Sequence, residues 1–297
     1  GQTVPLWFRM AGSQVTSEDF AIAWPAPAKL NLMLRIVGRR PDGYHLLQTV
    51  FQLLDYGDEL RFAVRGDGAV RRLGELPGVV AEADLVVRAA RLLQQATGCR
   101  LGADIALLKR IPMGGGLGGG SSDAATTLLA LNHLWALGLD QDRLADLGLR
   151  IGADVPVFVR GRSAWSEGVG DVLTPLDLPA SWYAVVRPPC AVSTAAVFAD
   201  PELTRNSPVT TISTFFAGSR DNDCLAVVRR RYPPVAAALD WLGRYGVARL
   251  TGTGSCAFAA FEREADARAV VAALPAGHEG FAACGLNRSP VPALAGL

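Results

Sequence analysis

Pro112-Met113-Gly114-Gly115-Gly116-Leu117-Gly118-Gly119-Gly120-Ser121-Ser122-Asp123 decides how this chain is read. Six of the seven positions 114–120 are glycine. Without a Cβ, such residues reach positive φ freely and leave nothing to obstruct a ligand. Successive N–H groups can then converge on one concavity. The apolar run 103–108 before it reads as a strand. The stretch 121–137 after it reads as a helix, with Ser121 or Ser122 as N-cap. A helix start adds unpaired donors and the positive end of a dipole. The segment predicts a phosphate cradle, with the Ser121 and Ser122 hydroxyls able to reach phosphate oxygens or a bound Mg2+. A flexible linker would need neither the strand-to-helix placement nor the serines.

Two named motifs bear on this loop. The Walker A pattern fails, because no lysine follows the glycines. The dinucleotide pattern GxGxxG matches at Gly114, Gly116 and Gly119, with Asp140 about 20 residues on. Asp140 follows Gly138-Leu139, however, with no second strand to carry it. A dinucleotide-binding oxidoreductase therefore stays as an alternative reading.

Of 29 basic residues only Lys29 and Lys109 are lysine. A bias toward arginine codons would replace every lysine whose task is solubility. The survivors mark places where a compact ammonium is needed and a planar guanidinium will not serve.

Lys29-Leu30-Asn31-Leu32-Met33-Leu34-Arg35-Ile36 alternates, with the even positions apolar. That predicts a half-buried strand with Lys29 and Asn31 on the other face, roughly 6.6 Å apart. Pro41-Asp42-Gly43 signals a turn. Residues 44–54 read as extended, 61–65 as another short strand and 66–77 as loop. Helices are expected at 84–97, 142–150, 222–231, 235–245 and 264–274, and strands at 155–159, 182–186 and 256–261. Strands and helices mix without regular βαβα alternation, which favours an α+β fold in two lobes. The expected division is 1–20 as an extension or expression remnant, 21–163 as the ATP-binding domain and 164–297 as the substrate domain.

Composition narrows the function. Half of the 297 residues are hydrophobic, 19% are charged and the net charge is +1, a globular composition. No basic tract marks a nucleic-acid binder, and no apolar run approaches the ~18 residues of a membrane span. The five cysteines show no CxxC and the three histidines no ligand spacing, which fits reduced thiols, a cytoplasmic setting and no assignable metal ligands.

Asp154, in Gly152-Ala153-Asp154-Val155-Pro156, sits where an apolar run begins. A carboxylate there must be paired or functional. It can orient or accept the proton of an attacking hydroxyl, with Lys29 as partner, or it can merely cap a helix or form a structural salt bridge. Tyr44-His45 can stack on a base and read a ring edge, or simply pack. Thr251-Gly252-Thr253-Gly254-Ser255 can close over phosphates or form a plain turn.

Together these segments resemble the GHMP kinases. The loop 112–123 is similar to their phosphate loop, with Gly119-Gly120 as added length. That length is similar to the branch that phosphorylates the 2-hydroxyl of 4-diphosphocytidyl-2-C-methyl-D-erythritol in non-mevalonate isoprenoid synthesis. Pro27-Ala28-Lys29-Leu30-Asn31-Leu32, Arg40-Pro41-Asp42-Gly43-Tyr44-His45, Gly152-Ala153-Asp154-Val155-Pro156 and Thr251-Gly252-Thr253-Gly254-Ser255-Cys256 match the same branch in order. The resemblance implies the two-lobed GHMP fold with its active site between the lobes, ATP with Mg2+, and a monomer or homodimer acting on a small cytidyl diphosphate compound. It implies Lys29 and Asp154 as the catalytic pair. It places the ATP phosphates on Pro112, Met113, Gly114, Gly115, Gly116, Leu117, Gly118, Gly119, Gly120, Ser121 and Ser122, with Lys109 near adenine. It places the cytidyl substrate on Asn31, Tyr44, His45, Thr194 and Phe198. Asp84 stands where the pattern has asparagine, which puts one adenine contact in question. A kinase of this type acting on another small alcohol is the alternative.

Overall fold

The computed structural model describes residues 20–74, 76–80 and 83–297. The expected extension at 1–20 lies outside them except for Phe20, which packs with Ala63 and Ala106. The organising element is β2 (His45–Arg65), a strand of 21 residues. It pairs along its length with β1 (Trp24–Arg39), and its C-terminal part pairs with β4 (Gly102–Leu108). The expected break within 44–65 does not occur. Instead the ladder with β1 absorbs irregularity through register shifts at Pro27/Lys29, Asn31/Met33 and Ile36/Gly38.

Around this spine the strand order is β3-β4-β2-β10-β7-β9-β8, where β3 is Val70–Leu73, β7 Trp182–Arg187, β8 Arg249–Leu250, β9 Ala257–Phe261 and β10 Glu279–Leu286. Strand β3 falls inside the stretch expected to be loop. Strands β5 (Ala164–Glu167) and β6 (Val172–Pro175) attach through β5 to β2. Residue 164, the expected start of the second domain, is thus the first residue of a strand on the first lobe's spine.

One lobe packs α1 (Leu85–Thr97), α2 (Gly119–Leu134), α3 (Gln141–Leu149) and α4 (Val155–Arg160) on this sheet, around Leu60, Leu93, Ile105, Leu128 and Phe158. The other packs α5 (Thr194–Phe198), α7 (Leu225–Arg231), α8 (Pro233–Leu242) and α9 (Glu264–Ala272) on β7 and β9. A third apolar cluster joins the lobes. It contains Leu30, Val50, Trp165, Val185, Phe258 and Phe215, the last carried by α6 (Ile212–Phe216). The short α10 (Val291–Leu294) returns to the first lobe. The architecture is the two-lobed α+β one that the sequence led us to expect.

Two expectations fail for physical reasons. The run 155–159 is a helix, not a strand. All five residues are buried against neighbouring helices, and a fully enclosed helix can be apolar all round. Pro156 sits in its first turn, where its missing N–H costs nothing, and Gly161 ends it at φ 61°. Strand β1 is buried on both faces. Lys29 and Asn31 are nearly as enclosed as Leu30, because Gly116, Asp154 and Thr251 close over the face expected to be open.

Gly57 shows how closely β1 and β2 approach at the first register shift. It pairs with Pro27, and a Cβ there would lie 2.2 Å from the Ala26 carbonyl oxygen. Backbone cannot retreat as a side-chain tip can. Gly57→Ala is expected to destabilise the protein by about 3 kcal/mol, read as a lowered urea midpoint at unchanged slope.

Candidate active site

The glycine loop runs from β4 into α2, and its carbonyls at 114–117 are engaged by Lys29 and the 251–256 loop. Gly114 O accepts from Ser255 N at 3.4 Å, and Gly115 O from Cys256 N at 3.1 Å. Gly116 O accepts from Lys29 Nζ at 3.1 Å and Thr251 Oγ1 at 3.2 Å, and Leu117 O from Lys29 N at 3.0 Å. Positive φ at Gly114 (69°), Gly116 (77°) and Gly118 (71°) reverses the chain at alternate residues. A Cβ on Gly116 would meet Thr251 O at 2.3 Å, so this position admits glycine alone. Taking the carbonyls to one side leaves the N–H groups for the other.

That other side is a cavity of about 380 Å³, lined by 112–121, Lys109, Asp123 and residues around the start of α1. The volume suits a small organic ligand. Helix α2 opens onto it without a side-chain cap. Its N-cap is Gly118, not Ser121 or Ser122. A capping hydroxyl would consume a donor that an anion needs, so the uncapped start fits a ligand site. Ser121 lines the cavity, whereas Ser122 is fully buried and its Oγ has no hydrogen-bond partner among the described residues.

Beneath the loop, Lys29 uses all three of its donors. Nζ donates to Asn31 Oδ1 at 2.5 Å and to Gly116 O, and lies 3.3 Å from Asp154 Oδ2. The side chain is 4% exposed and its ammonium lies 5.3 Å from the Phe51 ring centroid. Asn31 is itself tethered, donating from Nδ2 to Thr49 Oγ1 at 2.8 Å and from N to Thr251 Oγ1 at 3.0 Å. Asp154 precedes α4 yet makes no capping hydrogen bond. Its carboxylate, 35% exposed, faces Lys29 and solvent instead. The helix-cap alternative for Asp154 is thereby removed.

Lys109 stands at the other end of the loop, between Asp58 (2.5 Å) and Asp123 (2.9 Å). Asp58 also accepts from Arg110 N and Ile111 N through Oδ1, at 2.5 and 2.8 Å, and so fixes the approach to the loop. Burial pushes Asp123 well above the usual carboxylate range, and Asp58 adds to this against the opposing pull of Lys109. Burial alone would lower Lys109, but the two carboxylates outweigh it and raise the ammonium. Asp123 stood in the glycine stretch of the sequence, but Asp58 was not singled out. Asp58 lies in an ordinary charged stretch, and only the fold brings it to Lys109.

Asp84 caps α1, accepting from Val86 N at 3.0 Å, and is paired with Arg72 of β3. Asp140 caps α3 by accepting from Arg143 N at 2.8 Å. It is therefore committed to the helix, and the dinucleotide reading loses its ribose acid.

The remaining sequence-selected residues lie further along. Thr194 shares a 2.8 Å hydroxyl contact with Thr253, which ties α5 to the 251–256 loop. His45 and Phe198 meet with ring centroids 4.9 Å apart, while Tyr44 is 65% exposed beside them in the chain. Burial, Arg205 and Arg39 hold the His45 imidazole below its ordinary pKa. Arg205 escaped the sequence reading, since one arginine among many carries no local signal.

A glycine loop at an uncapped helix start, a buried lysine facing an accessible carboxylate, and a separate aromatic pair are the parts a small-molecule kinase needs. The family models for the GHMP kinases N terminal domain and the GHMP kinases C terminal match residues 84–162 and 210–279. The chain is 63% identical over 263 residues to the 4-diphosphocytidyl-2-C-methyl-D-erythritol kinase of Alkalilimnicola ehrlichii, covering 89% of this chain and 90% of that one. It is 61% identical over 265 residues to the enzyme of the same name from Pseudomonas savastanoi pv. phaseolicola, covering 89% and 92%. A crystal structure of 4-(cytidine 5'-diphospho)-2C-methyl-D-erythritol kinase superposes with a TM-score of 0.76 at 34% identity, covering 89% of this chain and 99% of the other. The chain belongs to the GHMP kinases and, within them, to the 4-diphosphocytidyl-2-C-methyl-D-erythritol kinase family. It is an ATP-dependent small-molecule kinase.

Lys109 generates a test of the loop's support. Replacing it with methionine leaves two buried carboxylates without their cation. Lys109→Met is expected to cost about 3–5 kcal/mol at pH 7. Asp123 already has a raised folded-state pKa. Its ionised form therefore destabilises the variant above that pKa, and protonation relieves the cost as pH falls. Urea unfolding should show a larger deficit at pH 7 than at pH 5.

Proposed function

We propose that the enzyme transfers the γ-phosphoryl group of ATP to the 2-hydroxyl of 4-diphosphocytidyl-2-C-methyl-D-erythritol, with Lys29 and Asp154 at the reacting atoms. The observation that carries this reading is the 3.3 Å Lys29–Asp154 pair beside the glycine cradle. ATP lies with its phosphates on the loop 112–121 and its base toward Lys109 and the start of α1. The developing negative charge faces backbone N–H groups and the N-terminus of α2.

Lys29 has a fixed position because Asn31 and Gly116 O hold it. It pairs with Asp154 and stabilises charge on the transferring group. Asp154 orients the substrate hydroxyl and accepts its proton as the P–O bond forms. Its partial exposure leaves room for that hydroxyl. Asn31 and Thr194 flank the substrate, and Tyr44, His45 and Phe198 hold the cytosine. The ATP cradle comes from residues 21–163, whereas Thr194 and Phe198 come from 164–297.

Mg2+ fits this site as an ion that arrives on ATP. Among the described residues no cluster of three or more His, Cys, Asp or Glu could hold a metal, and Mg2+ commonly keeps its waters and phosphate ligands. Ser121 is the hydroxyl best placed to meet it. When bound, the ion would neutralise charge on the phosphate oxygens. The reading needs one chain, as monomer or homodimer, acting in the cytoplasm. Among the described residues no helix is long and apolar enough to cross a membrane.

Turnover of ATP against a panel of alcohols tests the substrate. Phosphorylation of the cytidyl compound is expected, and turnover with homoserine alone would overturn the assignment. For the mechanism, Asp154→Asn should lower kcat at least ~10²-fold while ATP binding, followed by calorimetry, stays within a few-fold of the parent. A fully active variant would remove Asp154 from the chemistry.

A further inference from the structure

We propose that Arg205 is the positioning residue of the base site, locking His45 in the neutral tautomer that donates from Nδ1 and fixing it against Phe198. This rests on the reading of His45 and Phe198 as cytosine-binding residues. Arg205 Nε donates to His45 Nε2 at 3.2 Å. A guanidinium can only donate, so Nε2 must present its lone pair. The single proton of a neutral imidazole then sits on Nδ1. That nitrogen is left to donate to an acceptor on the edge of a pyrimidine ring.

The same guanidinium organises the other half of the site. Nη2 donates to Phe198 O at 2.7 Å and to Asp200 O at 2.8 Å, and Nη1 to Leu203 O at 3.1 Å. These carbonyls belong to the end of α5 and the turn after it, where a helix has no partners of its own. One planar fork thus ties β2, which carries His45, to α5, which carries Phe198. Lysine, with a single point of charge, can hold the imidazole but not the whole set of carbonyls.

Charge around His45 favours the neutral ring. Among the described residues no carboxylate pairs with Arg205. The nearby Asp200 carboxylate is engaged by Arg230 and Arg231. Arg39, paired with His45 across β1 and β2, adds a second cation. Helix α5, which supplies Phe198, brings no charged residue, and in the turn before β2 Arg40 is paired with Asp42. Burial acts in the same direction as the two arginines.

Without Arg205 the proton can move to Nε2, leaving Nδ1 bare and unable to donate. Acidification would return a proton to Nδ1 by forming imidazolium. The variant should therefore show a defect that acid repairs, whereas a purely structural loss would not be repaired. Arg205→Ala is expected to raise KM for the cytidyl substrate ~10-fold at pH 8, with kcat within ~3-fold of the parent. The increase should shrink to under ~3-fold near pH 5.5. Arg205→Lys, which still donates to Nε2, should recover most of the loss at pH 8. In the free full-length protein, ¹⁵N shifts of His45 should report Nδ1–H in the parent and a shift toward Nε2–H in Arg205→Ala.

Three results would overturn the proposal: a KM defect of equal size at both pH values, Arg205→Lys no better than Arg205→Ala, or an unchanged His45 tautomer. His45→Ala separates this from the reading beneath it. An unchanged KM in His45→Ala would remove His45 from the base site, and the proposal with it. A raised KM there, with no acid-repaired defect in Arg205→Ala, would overturn the role of Arg205 alone.

Discussion

The glycine loop can offer its N–H groups to an anion only because its carbonyls are already satisfied. Buried backbone oxygens must find donors. Here they find them in Lys29, Thr251, Ser255 and Cys256, on β1 and on a loop of the opposite lobe. Much of the site follows from this requirement. The lobes must meet at the loop, so β1 is sandwiched between them and a cationic residue on it becomes buried. That lysine needs acceptors, and Asn31, Gly116 O and Asp154 supply them. Asn31 in turn is held by Thr49 and Thr251. The network closes on itself, so its members cannot shift independently.

The two lysines press on neighbouring residues of the loop. A Cβ on Gly118 would lie 3.1 Å from Lys29 Cε, and one on Gly119 would lie 3.1 Å from Lys109 Nζ. The glycines at these positions answer steric demands as well as conformational ones. Both lysines sit in ion pairs with buried or half-buried carboxylates. A slim ammonium fits each space with three donors spread in three directions, where a flat guanidinium would direct its donors in one plane.

Reading periodicity served the strands and helices that face one solvent-exposed side. It misjudged elements enclosed on all sides. The run 155–159 carries no alternation because all its faces are buried, and an apolar run of that length suits a strand and a buried helix alike. Strand β1 does alternate, yet its polar positions Lys29 and Asn31 face a buried hydrogen-bond network and not solvent. The N-cap of α2 was misplaced by the usual preference for serine, because Gly118, in the left-handed region, begins this helix and no side chain caps it.

By itself, the sequence determined which residues stand out from their surroundings. The glycine run, the surviving lysines and Asp154 before a turn of proline and valine are local facts, visible because each departs from what an ordinary segment requires. Family membership was legible for the same reason, since the motifs stand in order along the chain. Tertiary structure alone decided which of these groups touch. Asp58 joined Lys109 across 51 positions, Thr251 joined Asn31 across 220, and Arg205 joined His45 across 160. Such pairings carry no local signal, because either partner would look the same in a solvated loop. They arise when a long strand, β2, is shared by several neighbours, and burial then favours partners for the polar groups near it.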